Sequence, residues 1–131
     1  MRRLLDTHIA IWAVTLDARL PEETRATIRD PSVEVFVSLA SLWEIAIKNA
    51  FSKPRRGSTF PSTSQAADWF RQTGLEILPI KESHILALES LPLIHGDPFD
   101  RLLVAQAISE PMILITHDRR LSAYSDLVSV V

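Results

Sequence analysis

The sequence contains no cysteine, which excludes disulfides, zinc–thiolate sites and cysteine nucleophiles. No apolar run is long enough to span a membrane, and an acid follows the first basic residues too soon for a signal peptide. The chain also has no large excess of positive charge, since its net charge is −2. This net charge argues against a general polyanion-binding surface, although it leaves a local one open. We therefore expect a cytoplasmic protein that has no membrane partner.

The composition is that of an ordinary globular protein, with 47% hydrophobic and 23% charged residues. A length of 131 residues suits one domain with a substantial hydrophobic core. No repeat, low-complexity tract or internal linker divides the chain. We predict a single domain over residues 1–131.

Short apolar segments alternate with segments of helical pattern along the chain. The predicted strands are Arg3–Leu5, Val33–Val37, Leu75–Ile80, Met112–Thr116 and Val128–Val131. The predicted helices are Thr7–Val14, Pro21–Arg29, a segment from Ser38 to near Ser52, a segment capped by Ser62 or Ser64 that ends at Gly74, Lys81–Leu91, Pro98–Ala107 and Arg119–Tyr124. A loop is predicted over Arg55–Pro61. This alternation indicates parallel pairing with helices on both faces, and hence a doubly wound α/β domain.

Acidic residues stand near the ends of several of these elements. Asp6 closes the first strand and Asp118 follows a late apolar strand, so both are expected at the same edge of a parallel sheet. Asp97 and Asp100 begin the helix that leads to that late strand. Glu44 lies about two turns into the helix that follows the second strand.

Each acid also has a purely structural interpretation. Asp6, Asp97 and Asp118 occupy N-cap positions. Glu44 precedes Lys48 by four residues, the spacing of a helix-surface ion pair worth about 0.2–0.5 kcal/mol. Apolar residues on both sides of Glu44 weaken this alternative, because an acid on an apolar face is costly without a partner or a ligand.

Acids from four separate elements are difficult to explain as independent caps. Carboxylates held within a few ångströms repel one another unless a cation lies among them. A ligand set made only of oxygen suits Mg²⁺ or Mn²⁺. Such an ion binds a phosphate oxygen and lowers the pKa of a bound water, so the pattern predicts phosphodiester hydrolysis.

Four segments carry a resemblance to a known family and together span nearly the whole chain. They are Leu4–His8, Trp43–Lys48, Asp97–Ala107 and Thr116–Asp118. With these segments in this order, the chain resembles a PIN domain, and specifically a VapC-type toxin ribonuclease of a type II toxin–antitoxin system. The resemblance implies a three-layer α/β/α sandwich with a short parallel central sheet, and a Mg²⁺- or Mn²⁺-dependent endoribonuclease that cuts RNA with a metal-activated water.

The resemblance also implies roles for particular residues. The acidic catalytic pocket is matched by Asp6, Glu44, Asp100 and Asp118. Asp6 and Asp100 are the expected direct metal ligands, Asp118 and Glu44 are secondary ones, and Asp97 is either a further ligand or only a helix cap.

Two hydroxyl positions and a set of partners follow from the same resemblance. Thr7 and Thr116 match positions at which a hydroxyl orients a carboxylate or a water. The implied partners are an RNA substrate and a small VapB-like antitoxin that places a basic side chain in the pocket. A homodimer, or a hetero-oligomer with the antitoxin, is the expected assembly.

Basic residues near the acids are the candidates for RNA contact, each with a solvated surface charge as its alternative. They are Lys48, Lys53, Arg55, Arg56 and Arg101. Arg119 and Arg120 either pair with the neighbouring Asp118 or contact substrate phosphates. His8, His95 and His117 also adjoin acids, which makes a histidine general base conceivable. The aromatic residues Trp12, Trp43, Trp69 and Phe70 fall at apolar helix positions and are expected in the core or at an interface.

Two other classes of function remain as alternatives. One is a catalytically silent PIN-like module that binds RNA or operator DNA together with an antitoxin, although such a module has no reason to keep all four acids. The other is a phosphotransfer domain, which needs paired acids on its first strand, and Asp6-Thr7-His8 lacks them.

Overall fold

Five short parallel strands form the centre of the structure, a computed structural model that describes residues 1–52 and 60–131. The strands are β1 (Arg3–Leu5), β2 (Val35–Ser38), β3 (Glu76–Leu78), β4 (Ile113–Thr116) and β5 (Val128–Val130). Their order in the sheet is β3-β2-β1-β4-β5, and each neighbouring pair is parallel. Because the chain winds outwards from β1 first in one direction and then in the other, a topological switch point lies between β1 and β4.

Helices connect these strands. In the described parts of the chain they are α1 (Thr7–Thr15), α2 (Glu22–Arg29), α3 (Leu39–Phe51), α4 (Thr63–Gln72), α5 (Glu82–Ser90), α6 (Pro98–Ser109) and a 3-10 helix (Arg119–Ala123). Among the described residues, none of these helices is both long and apolar enough to cross a membrane.

Polar side chains fix the points at which the helices beside the sheet begin. Asp6 Oδ1 accepts the backbone N–H of Ile9 at 2.9 Å, and Ser38 Oγ accepts that of Ala40 at 3.0 Å. These bonds satisfy N–H groups that have no partner within the helix. Each of α1 and α3 therefore starts directly at the carboxyl end of a strand.

The core lies on both faces of the sheet, because successive strand residues point in opposite directions. Leu5 of β1 packs with Ile9 of α1 and Phe70 of α4 in one fully buried cluster. Leu4, its neighbour in sequence, packs with Leu103 of α6 in a second cluster on the other face. The predicted three-layer α/β/α sandwich with a short parallel sheet is confirmed.

The predicted strands and helices occur, but several strands are shorter than predicted, and most of the predicted loop over Arg55–Pro61 lies outside the described residues. The second strand begins at Val35 rather than Val33, because the N–H of Val33 closes a turn onto the carbonyl of Asp30 at 3.0 Å. The third strand ends at Leu78, since the next residue, Pro79, has no N–H for a ladder hydrogen bond. The last predicted helix is a 3-10 helix that ends one residue early.

The four aromatic residues expected in the core or at an interface differ in burial. Trp12 and Phe70 are buried, Trp69 is half-buried, and Trp43 is 56% exposed, with the centroid of its ring 4.9 Å from that of Phe99 in an edge-to-face contact. Trp43 therefore lies outside the core because α3 turns this side chain outwards, and an interface role for it stays a prediction.

Candidate active site

Acidic side chains from four elements converge at the carboxyl edge of the sheet, beside the switch point. They line one cleft of about 480 Å³ and are Asp6, Glu44, Asp97, Asp100 and Asp118. Asp6 follows β1 and Asp118 follows β4, and these two strands are hydrogen-bonded neighbours. The expectation that both acids stand at one edge of the sheet is therefore confirmed.

Asp6 is the most enclosed acid of the cleft, with 6% of the residue exposed. Its Oδ1 caps α1, and its Oδ2 accepts the hydroxyl hydrogen of Thr116 from the end of β4. Burial raises the pKa of Asp6 above its ordinary value, against the opposing effect of the Thr116 hydrogen bond. Asp6 is thus a rigidly held carboxylate whose charge is poorly solvated.

Glu44 reaches the cleft from α3 and has two partners. The Thr7 hydroxyl lies 2.7 Å from Oε1 of Glu44 and 2.9 Å from Oγ of Ser41. Lys48 Nζ lies 3.3 Å from Oε2 of Glu44, which is the ion pair expected from the spacing in sequence. Glu44 therefore forms the helix-surface ion pair with Lys48 and lines the cleft as well.

Asp97 and Asp100 stand in the first turn of α6. Asp97 Oδ1 accepts the N–H groups of Phe99 at 2.8 Å and Asp100 at 3.3 Å, so Asp97 is a helix cap that also lines the cleft. Burial raises the pKa of Asp100 to about 7, and the negative charges of Asp97, Asp6 and Glu44 add to this effect. The carboxyl group of Asp100 is therefore partly buried and lies close to three other acids.

Asp118 is held by hydrogen-bond donors on two sides. Arg120 donates Nε to Oδ1 at 3.1 Å and Nη2 to Oδ2 at 2.9 Å, and Nε2 of His95 lies 2.9 Å from Oδ2. The Arg120 hydrogen bonds hold the pKa of Asp118 well below its ordinary value, and the His95 contact lowers it further. The negative charge of Asp118, unlike that of Asp100, is therefore balanced by an ion pair with an arginine.

His95 belongs to this site, although the sequence offered it only as one of three possible histidine general bases. Its side chain is 6% exposed, and Nε2 lies 3.6 Å from Oδ2 of Asp100 as well as close to Asp118. The ring nitrogen and one oxygen from each of these acids all lie within 4.8 Å of one another. The only signal in the sequence is that His95 comes two residues before the cap of α6.

Neither of the two described residues of the predicted RNA-binding set, Lys48 and Arg101, lines the cleft. Lys48 is paired with Glu44, while Arg101 donates to the carbonyl of Pro92 at 2.8 Å and to the Tyr124 hydroxyl at 3.0 Å. Arg101 therefore links α6 to the segment after α5, and its contact with RNA stays a prediction. Three further candidates, Lys53, Arg55 and Arg56, lie outside the described residues. Arg119 lines the cleft.

The donor set of the cleft suits a hard divalent cation. Asp6 and Asp100 both carry poorly solvated carboxylates, and mutual repulsion contributes to the raised pKa of Asp100. A divalent cation among them would relieve the repulsion, and carboxylate oxygens are the ligands that Mg²⁺ and Mn²⁺ prefer. The described residues therefore fit such an ion.

A parallel α/β/α sandwich with an acidic cleft at its switch point defines the class of the protein. A family model described as the PIN domain matches residues 3–127. The chain belongs to the PIN domain family, as its sequence motifs predicted. A search of curated protein sequences gives no significant match.

Two solved structures have the same fold. One is VapBC2 from Rickettsia felis bound to a DNA fragment from its promoter, with a TM-score of 0.73, 19% identity, and coverage of 100% of this chain and 99% of that one. The other is VapBC-1 from nontypeable Haemophilus influenzae, with a TM-score of 0.61, 22% identity, and coverage of 99% and 98%. At these identities the similarity concerns the fold.

Proposed function

We propose that this chain, as one domain over residues 1–131, is a Mg²⁺- or Mn²⁺-dependent endoribonuclease, the VapC-type toxin of a toxin–antitoxin module in the cytoplasm. The observation that carries the proposal is the convergence of acids from four elements in one cleft, where burial and the charges of Asp97, Asp6 and Glu44 raise the pKa of Asp100 to about 7. A fold stabilised only by caps and surface pairs has no need to gather these acids. Their cost to stability is understandable if the cluster binds a cation.

Asp6 and Asp100 are the proposed direct ligands of the ion, and Asp118, Glu44 and Asp97 are secondary ones. When bound, the ion supplies a water of lowered pKa and neutralises charge on the phosphate. Asp97 is bound through Oδ1 to two backbone N–H groups, so only its other oxygen is free of the cap.

The two threonines are proposed to orient the acids. Thr116 donates to Asp6 and Thr7 to Glu44, and both threonines are buried, so neither carboxylate rotates freely. Lys48 balances the charge of Glu44 from the outer side. These contacts preserve the arrangement of the cleft before any substrate arrives, which is the condition for efficient catalysis by electrostatic stabilisation.

RNA is the proposed substrate, and Arg119 is the described residue best placed to contact its phosphates. Arg119 is exposed and lines the cleft, and within residues 1–52 and 60–131 its side chain makes no hydrogen bond or ion pair. A cationic side chain at the edge of an acidic cleft draws the phosphate backbone towards the acids.

The proposed protein partner is a small VapB-like antitoxin that places a basic side chain among the acids. Support comes from the two structural relatives, both of which are VapBC proteins. A homodimer or a hetero-oligomer with the antitoxin is proposed as the assembly, and the exposed apolar side chains of Trp43, Ile85 and Leu86 favour contact with a further chain. Light scattering of the purified chain with and without the co-expressed antitoxin measures both assemblies.

Cleavage of RNA in the presence and absence of EDTA tests the enzymatic proposal. We expect cleavage with Mg²⁺ or Mn²⁺, loss of cleavage in EDTA, and loss in Asp6→Asn and Asp100→Asn. Asp68→Asn is the matched control, because Asp68 is an exposed acid of α4 that does not line the cleft. Cleavage that survives EDTA would contradict the mechanism, and RNA binding without any cleavage would favour the silent binding module.

Growth of cells that express the chain alone tests the toxin proposal. We expect growth arrest that Asp100→Asn relieves and that co-expression of the antitoxin prevents. Normal growth at a confirmed level of soluble protein would contradict a toxin.

A further inference from the structure

The ring of His95 is held in one orientation by the backbone around it. The N–H of Asp97 donates to Nδ1 of His95 at 3.0 Å, two residues back along the chain. The N–H of His95 itself donates to the Tyr124 hydroxyl at 2.8 Å, which anchors the residue to the segment after the 3-10 helix. With its side chain 6% exposed, the ring has little room to turn.

These contacts decide which ring nitrogen carries the hydrogen. A backbone N–H can only donate, so Nδ1 of His95 must present a lone pair to Asp97. A neutral imidazole with a lone pair on Nδ1 carries its hydrogen on Nε2. Nε2 therefore donates to Oδ2 of Asp118 across the 2.9 Å contact.

The same tautomer excludes His95 as a metal ligand. His95, Asp100 and Asp118 are close enough together to hold an ion, and by distance alone they form a mixed nitrogen–oxygen site. A nitrogen that carries a hydrogen has no lone pair for a metal, and the only lone pair on this ring is already taken by Asp97. The ligands that remain are carboxylate oxygens.

We propose that His95 is a positioning residue, a neutral hydrogen-bond donor that fixes the Asp118 carboxylate against the start of α6 and keeps the metal ligands all-oxygen. The proposal rests on the proposed function, since it concerns the same cleft. Arg120 holds Asp118 from the solvent side and is 71% exposed, whereas His95 holds it from the buried side. His95 thus acts through Asp118 and does not contact the substrate.

The tautomer is tested directly by nitrogen-15 NMR of the histidine side chains in the metal-free wild-type protein. His95→Gln identifies the His95 signal among the four histidines. We expect the hydrogen on Nε2, and we expect it to remain there when Mg²⁺ is added. A hydrogen on Nδ1, or a ring that loses its Nε2 hydrogen when the ion binds, would overturn the proposal. This measurement needs no RNA, and the variant serves only to assign the signal.

Two substitutions of His95 separate its two hydrogen bonds. Glutamine places an amide N–H near the position of Nε2 and keeps the donor to Asp118, while asparagine places its polar atoms near Nδ1 and loses that donor. We expect His95→Gln to bind Mn²⁺ nearly as the wild type does, and His95→Asn to bind it about 10–100-fold more weakly, as is usual when a partner of a metal ligand is removed. Calorimetric titration with Mn²⁺ measures both affinities.

An equal loss of Mn²⁺ affinity in both variants, or no loss of Mn²⁺ affinity in His95→Asn, would contradict the positioning role. The thermal midpoints of the metal-free variants are the control for folding, and the affinities are compared between variants of similar midpoint. A wild-type chain that binds Mn²⁺ but cleaves no RNA would contradict the proposed function, while the test of His95 by Mn²⁺ affinity would still apply. If the wild type is active and His95→Asn has an unchanged kcat, only the positioning role of His95 is contradicted.

Discussion

The hydroxyl of Thr116 donates to Oδ2 of Asp6, although the two residues are 110 positions apart in the sequence. The same hydroxyl oxygen accepts the N–H of Asp118 at 3.1 Å. One fully buried side chain at the end of β4 therefore orders the acid that follows β1 and the segment that carries the acid after β4. The cleft depends on this residue for its geometry as much as on its carboxylates.

Thr116→Val should lower both stability and cleavage, and Thr116→Ser should retain most of both. Valine removes the hydroxyl and leaves a buried carboxylate oxygen and a backbone N–H without this partner, which costs about 1–3 kcal/mol. Urea denaturation gives the free energy of unfolding, and initial rates of RNA cleavage give kcat and KM. A valine variant as active as the serine variant would show that Asp6 keeps its orientation without Thr116.

Asp100→Asn should make the metal-free protein more stable while it abolishes cleavage. The substitution removes one charge from a cluster in which each close pair of charges costs about 1 kcal/mol even in water. Mg²⁺ should raise the thermal midpoint of the wild type and have little effect on the variant, because binding to the folded state stabilises it. Asp68→Asn serves as the control. A less stable Asp100→Asn protein would mean that the cluster is not under electrostatic strain.

Arg119→Ala should weaken RNA binding and reduce its dependence on salt. Loss of one phosphate contact lowers the slope of log K against log salt by about 0.7 for a single strand. Fluorescence anisotropy with labelled RNA in EDTA, at several salt concentrations, measures the slope without cleavage. Arg71→Ala is the matched control, since Arg71 is an exposed arginine of α4 that does not line the cleft. Equal slopes in the two variants would exclude Arg119 as a phosphate contact.

Glu110→Gln should destabilise the fold at neutral pH by about 1 kcal/mol, and less in acid. His84 is fully buried with its Nε2 2.6 Å from Oε2 of Glu110, and Lys81 Nζ lies 3.5 Å from the same oxygen. The His84 hydrogen bond lowers the pKa of Glu110 below 4.5, so the contribution of its charge is complete above that pH and is lost as the pH falls through the lowered value.

Urea denaturation at pH 7 and near pH 4 tests the Glu110 prediction. The difference in unfolding free energy between wild type and Glu110→Gln should shrink at the lower pH. Glu89→Gln, at an exposed position of α5, should show no such change. A difference that is constant with pH would mean that the charge of Glu110 contributes nothing.

The local features of the fold could be predicted from the sequence because short-range chemistry determines them. Asp6 and Ser38 act as caps where a polar residue follows an apolar strand, and Asp97 with Pro98 marks the start of α6. The acids that line the cleft were also found from the sequence, since strand ends and helix starts in a parallel fold meet at one edge.

Long-range contacts could not be predicted in the same way. The bond between His95 and Asp118 joins residues 23 apart, and nothing local distinguishes His95 from the neighbouring histidines of the cleft. Arg101 stands beside Asp100 in the sequence, but its contacts with the carbonyl of Pro92 and the Tyr124 hydroxyl, 9 and 23 residues away, could not be predicted from that position. Such long-range contacts depend on how the elements pack together, and the order of residues in the sequence does not give that packing.

The central position of β1 has a consequence for biosynthesis. Leu5 pairs with Val37 of β2 on one side and with Ile115 of β4 on the other. One partner of β1 is therefore translated more than a hundred residues after β1 itself. A nascent chain that stalls before β4 carries most of the acids, but it lacks the strand that turns them into a cleft. If this protein cleaves RNA, its cleft is complete only after β4 has been translated.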